Sequence, residues 1–160
     1  MTEELYNFWF NQELKYLLHL SNKKYIPEIL LIDTKKRIIE FKWYNKNLNV
    51  MIENNTINKV KDWQKKIKAI KDDLEKDNIF KINMYPHTFF FDDDDNAYIM
   101  DLYGCTDKQT RYLDLKYLKP LIRTNRFDKF IINDQLDTHE LYNETIKTNY
   151  AEWPGDFLNA

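Results

Sequence analysis

The groups that could ligate, titrate or attack in this 160-residue chain are three histidines, one cysteine and its carboxylates. Asp101 is the best placed of them. It follows Tyr98, Ile99 and Met100 at the end of an apolar run and stands just before Gly104, one of only two glycines, where backbone freedom is needed. Its acidic neighbours Asp92 to Asp95 read differently: Asp and Asn close turns with their own side chains, so the run from Asp92 to Asn96 reads as a turn rather than a ligand set. His87, beside Thr88, suits either acid–base work or a hydrogen-bonded structural role. His19 and His139 read as surface residues of helices, and no His-x-x-x-His or His-x-Glu spacing supports a zinc hydrolase. The single cysteine, Cys105, excludes an internal disulfide and a Cys-rich zinc site. A nucleophilic thiol and a buried structural one are both open for it, and the lack of a neighbouring base favours the second.

These groups need elements to hold them. Phe89-Phe90-Phe91 and Ala97 to Leu102 flank the acidic turn as the two strands of a β-hairpin. A second hairpin is expected from Ile26–Asp33 and Arg37–Tyr44 around a Thr34-Lys35-Lys36 turn. Glu3 to Leu20 carries Leu5, Phe8, Trp9, Leu14, Leu17 and Leu18 at helical spacing. Thr56 to Asn78 places Ile57, Val60, Trp63, Ile67, Ile70 and Leu74 on one helical face, with Thr56 as the expected N-cap. Tyr112 to Ile122 and Leu136 to Tyr150 read as two later helices, and Trp153 to Leu158 as a tail that packs back on the body.

In this order the elements resemble the protein-kinase-like superfamily, in particular its small atypical and aminoglycoside-phosphotransferase-type branches. The stretch Lys81-Ile82-Asn83-Met84-Tyr85-Pro86-His87-Thr88, followed by strand, acidic turn, strand and Asp101-x-x-Gly104, is similar to that family's catalytic loop, hairpin and Asp-Phe-Gly segment. The resemblance implies a metal-binding role for Asp101, catalytic-loop positions for Asn83 and His87, and cofactor contacts from Thr88 and from Glu13 on the first helix. It implies Mg²⁺ and ATP as the cofactors of such a site. The chain departs from the pattern as well: the family's catalytic aspartate falls on Asn83, its preceding histidine on Lys81 and its metal-binding asparagine on Thr88. Both glycines lie at Gly104 or beyond, so no glycine-rich phosphate loop is present, and only Met1 and Thr2 precede the helix that a lysine-bearing strand should precede.

The expected fold class is therefore α+β, a minimal kinase-like architecture with two antiparallel β-hairpins and four to five helices. One domain is expected, with residues 1–55 as the small-lobe-like part and 56–160 as the large-lobe-like part. A domain of about 150 residues buries roughly 68–70% of the surface its unfolded chain exposes. Aromatic residues at 16% supply much of that core.

Charge and hydropathy exclude several classes. The net charge is −2, with acidic and basic residues interspersed, so the concentrated cationic charge of a non-specific nucleic-acid binder is missing. The lysines between Lys59 and Lys76 alternate with Asp62, Asp72, Asp73 and Glu75 and read as a solvated helix face, with a weak RNA- or phosphate-facing patch as the alternative. No apolar run approaches the roughly 20 residues that span a bilayer, and no signal peptide is evident. Together with the lone cysteine this predicts a cytoplasmic protein, in the host cytoplasm if the AT-rich codon bias suggested by Lys, Asn, Ile and Tyr reflects a viral or phage origin.

Three functions follow from these readings. The first is a noncatalytic, pseudokinase-like binding or regulatory protein with a protein partner. The second is an unconventional metal-dependent phosphotransferase built on Asp101. The third is an unrelated α+β protein-interaction domain.

Overall fold

The computed structural model describes residues 2–81, 85–102 and 104–107. Asn83, the two helices expected after Tyr112, His139 and the Trp153–Leu158 tail lie outside them. The described chain is α+β, with three α-helices, two short 3-10 turns and seven strands in three small antiparallel sheets.

Helix α1 runs Glu3–Leu20. Thr2 caps it by accepting the Leu5 N–H on its hydroxyl at 3.2 Å, and Glu3 and Glu4 place negative charge in the first turn, where the helix dipole favours it. Leu5, Trp9, Tyr16, Leu17 and Leu20 are buried, while Leu18, counted in the apolar face from the sequence, is exposed. Strands β1 (Ile29–Asp33) and β2 (Ile38–Phe41) form the first hairpin. It is shorter than the apolar runs suggest: Arg37, at positive φ, belongs to the turn, the pairing ends at Ile29 and Phe41, and the register slips between Ile29 and Leu31.

Strand β3 (Lys46–Asn47) leads into helix α2 (Leu48–Glu53), an element with no sequence periodicity to announce it. Helix α3 spans Trp63–Lys76 rather than starting after Thr56. Ile57–Lys59 forms a separate 3-10 turn, Val60 is extended and Asp62 is left-handed. The i, i+3 spacing of Ile57, Val60 and Trp63 suits a 3-10 turn as well as an α-helix, so apolar spacing alone did not place the break. The Thr56 hydroxyl donates to the Met51 carbonyl instead of capping a helix. At the other end, Asn78 takes positive φ and the Ile79 N–H reaches the Leu74 carbonyl, a left-handed stop that asparagine tolerates well.

Strand β4 (Phe80–Lys81) pairs with β7 (Cys105–Thr106), and between them β5 (Phe89–Phe91) and β6 (Ala97–Ile99) make the second hairpin, with β3 added along β5. One apolar core joins these pieces. It takes Tyr16, Leu17 and Leu20 from α1, Ile67, Ile70 and Leu74 from α3, and Phe89, Phe91 and Ile99 from the hairpin. Among the described residues, no helix is long and apolar enough to cross a membrane.

Candidate functional site

The hairpin that carries Asp101 is fixed from both ends. Its turn is built on Asp92, whose carboxylate accepts the Asp94 and Asn96 N–H groups, the Asn96 side-chain amide and the Tyr98 hydroxyl at 2.9–3.2 Å. Partial burial works to raise the Asp92 pKa, but these donors outweigh it and hold the carboxyl below its ordinary value. Asp95, at positive φ, completes the turn and accepts Lys46 Nζ at 2.9 Å. Asp92 and Asp95 are thus occupied in shaping the loop, the turn role that the composition of the run suggested, while Asp93 and Asp94 between them are exposed.

The open end of the hairpin brings the predicted site residues together. Pro86–Thr88 forms a 3-10 turn after Tyr85, and Pro, with no N–H to satisfy, suits its first position. The Met100 N–H donates to the Thr88 carbonyl at 2.9 Å, extending the Phe89–Ile99 register outward. The segment holding His87 and Thr88 therefore lies alongside the segment entering Asp101. Asn47 acts as a latch from the other side: its side chain accepts the Val50 N–H to cap α2 and donates to the His87 carbonyl at 3.0 Å. Sequence reasoning missed Asn47, although Asn before an apolar residue is a helix-cap signal that could have found it.

Each candidate has a definite environment. Thr88 is 2% exposed, and its hydroxyl donates to the Tyr85 carbonyl at 2.9 Å. His87 is exposed, and its ring stacks on Tyr85 at 5.2 Å between centroids. Asp101 is half-buried and sits directly before buried Leu102. Gly104 has φ 80°, the left-handed conformation expected for it, and lets the Cys105 N–H fold back to the Leu102 carbonyl. Cys105 is fully buried in the core, where a structural thiol belongs. Glu13 is half-buried on α1, one turn from both Trp9 and Leu17 on the buried stripe, so it is the carboxylate that interrupts that inward face. Near the same helix, Lys15 pairs with Asp107 at 3.7 Å, which sets α1 beside the end of β7.

The structure thus brings His87, Thr88 and Asp101 to one end of one hairpin and places Glu13 on a separate helix. The fifth candidate, Asn83, lies outside the described residues. Among the described residues, no three His, Cys, Asp or Glu side chains gather as a metal-ligand set. Of the described residues that the resemblance assigns to Mg²⁺ or its nucleotide, Asp101 offers a half-buried carboxylate, and the buried Thr88 hydroxyl is turned to a backbone carbonyl. No family model and no curated protein matches this chain.

Proposed function

We propose that this chain is a degenerate kinase-like domain that binds or regulates a protein partner and does not transfer phosphate. One observation carries the kinase-like part. Strands β4 and β7 pair antiparallel, which sets Lys81 opposite Cys105, the residue after Gly104, with the β5–β6 hairpin between the two strands in the chain. This is the arrangement needed if the loop resembling a catalytic loop is to face the segment resembling a metal loop. The order helix, antiparallel strand pair, connector, long helix, loop, hairpin and Asp-x-x-Gly supports the same reading.

The noncatalytic part rests on residue types. Phosphoryl transfer needs compensation of phosphate charge and a group that orients and deprotonates the acceptor hydroxyl. Asn83 stands where the resemblance places the catalytic aspartate, and an amide can orient a hydroxyl but cannot accept its proton as a carboxylate does. Thr88 stands where it places a metal-binding amide.

A second reading, a phosphotransferase using Asp101, draws support from the adjacency of His87 and Asp101 at the hairpin end. A transfer assay with labelled Mg²⁺–ATP separates the two, scored for autophosphorylation and for transfer to small hydroxyl and amine acceptors. The expected result is no transfer above a no-protein blank. Transfer that disappears in Asp101→Asn would establish the second reading instead.

A further inference from the structure

The outer face of the three-stranded sheet carries a row of aromatic rings that the site above does not use. Phe89, Phe91 and Ile99 point into the core, so Phe90 and Tyr98, which are cross-strand partners, share the opposite face. Two further rings come from the connector before β3. Trp43 packs edge-on against Phe90 at 5.5 Å between centroids, and Tyr44 stacks on Tyr98 at 4.1 Å with an interplanar angle of 14°. Trp43 is 69% exposed while Phe90 beneath it is 8% exposed. Trp43 is thus held in place by the ring beneath it while it stands in water, and Trp and Tyr supply large rigid contact area at low entropic cost.

Charge selects what it can hold. The row runs into the acidic turn, because the Tyr98 hydroxyl donates to Asp92. Of the turn's four carboxylates, Asp95 is neutralised by Lys46, and Lys66 reaches its backbone carbonyl. Asp93 and Asp94 are exposed, and although Lys46 also attracts Asp93, four carboxylates stand in this turn against the two lysines that reach it. Ring faces carry negative quadrupoles that attract cations, and the adjoining carboxylates add to that field, whereas they repel phosphates.

We infer that the Trp43–Tyr44–Phe90–Tyr98 face is a docking surface for a basic, arginine- or lysine-bearing peptide segment of a protein partner. The inference rests on the partner-binding half of the proposed function and not on its kinase-like half. Guanidinium groups stack over Trp43 and Tyr44, and neighbouring basic side chains meet Asp93 and Asp94.

The test is fluorescence anisotropy with a labelled peptide of alternating arginine and lysine, eight residues long, at low and moderate salt. Binding should weaken roughly five- to tenfold in Trp43→Ala and be largely kept in Trp43→Phe. Asp93→Asn with Asp94→Asn should weaken it further and flatten its salt dependence. The exposure of Trp43 makes loss of fold in these variants a small concern, and a circular dichroism melt checks it. Peptide binding that is unchanged in Trp43→Ala would overturn the inference, since charge alone would then explain it. Absence of peptide binding, or preferential binding of a labelled oligothymidine, would overturn it too. None of these outcomes touches the phosphate-transfer result, which turns on Asp101.

Discussion

The two hairpins use the same local chemistry to different ends. In each, an aspartate at the end of the first strand accepts backbone N–H groups of the turn: Asp33 from Lys35 and Lys36, Asp92 from Asp94 and Asn96. In each, a residue at positive φ closes the loop, Arg37 in one and Asp95 in the other. What surrounds them differs. All of β5 is buried, a third strand lies along it, and its turn is tied to β3 through Lys46. Strands β1 and β2 leave Leu30, Leu31 and Ile38 exposed, and their turn is held to α1 by Arg37, which pairs with Glu3 and donates to Asn7 at 2.8 Å. The turn code sets the bend, and burial decides which hairpin can hold functional groups in fixed positions.

The largest effect should come from the buried strand. Phe89→Ala or Phe91→Ala should cost about 3–5 kcal/mol in denaturant unfolding, against less than about 0.5 kcal/mol for Ile38→Ala on the exposed strand. Equal losses would break the contrast. Next come the turns. Asp92→Ala removes an acceptor for four donors, one of them the Tyr98 hydroxyl, and should cost about 1–2 kcal/mol, while Asp33→Ala should cost less.

Acid unfolding sharpens the comparison further. Asp92 is held below its ordinary 3.8, and so is Asp73, which accepts the Tyr25 hydroxyl at 2.7 Å and pairs with Lys23 at 3.1 Å. A carboxyl with a lowered folded pKa adds stability that is present above its unfolded value and lost as pH falls through the folded one. Melting temperature should therefore drop as pH falls below about 3.8, and Asp92→Asn should flatten that limb. At the alkaline end, burial, Tyr44 and Asp92 push Tyr98 up to about 12. Its share of stability is present below 10.0 and lost as pH rises towards 12, and Tyr98→Phe should remove that dependence. The smallest effect belongs to Arg37→Ala. The pair with Glu3 is exposed and screened, so the shift in melting temperature should be slight and should vanish at high salt.

Much of the scaffold was legible before any coordinates. The apolar stripes of α1 and α3 and the runs around Asp92 are long enough for periodicity to name them, and the Asp-Asn composition correctly marked a turn. What was hidden depends on contacts distant in sequence. Strands β3, β4 and β7 are two residues each and exist because Asn47 meets Phe90, and Phe80 meets Thr106. Helix α2 is six residues, too short for a period, and Leu48 and Ile52 become core only by tertiary packing. The grouping of His87, Thr88 and Asp101 followed from the hairpin register and was foreseeable, whereas the aromatic face joins a connector to a distant sheet and was not.

Thermal unfolding with ATP or ADP and Mg²⁺ or Mn²⁺ is the sharpest test of the proposed kinase-like scaffold without kinase chemistry. A ligand that binds only the folded state raises apparent stability by mass action, about 2.7 kcal/mol at a hundred times its dissociation constant. No metal-dependent nucleotide shift is expected at millimolar ligand, in the parent chain or in Asp101→Asn. A stabilisation that requires both metal and nucleotide and is lost in Asp101→Asn would contradict the proposal.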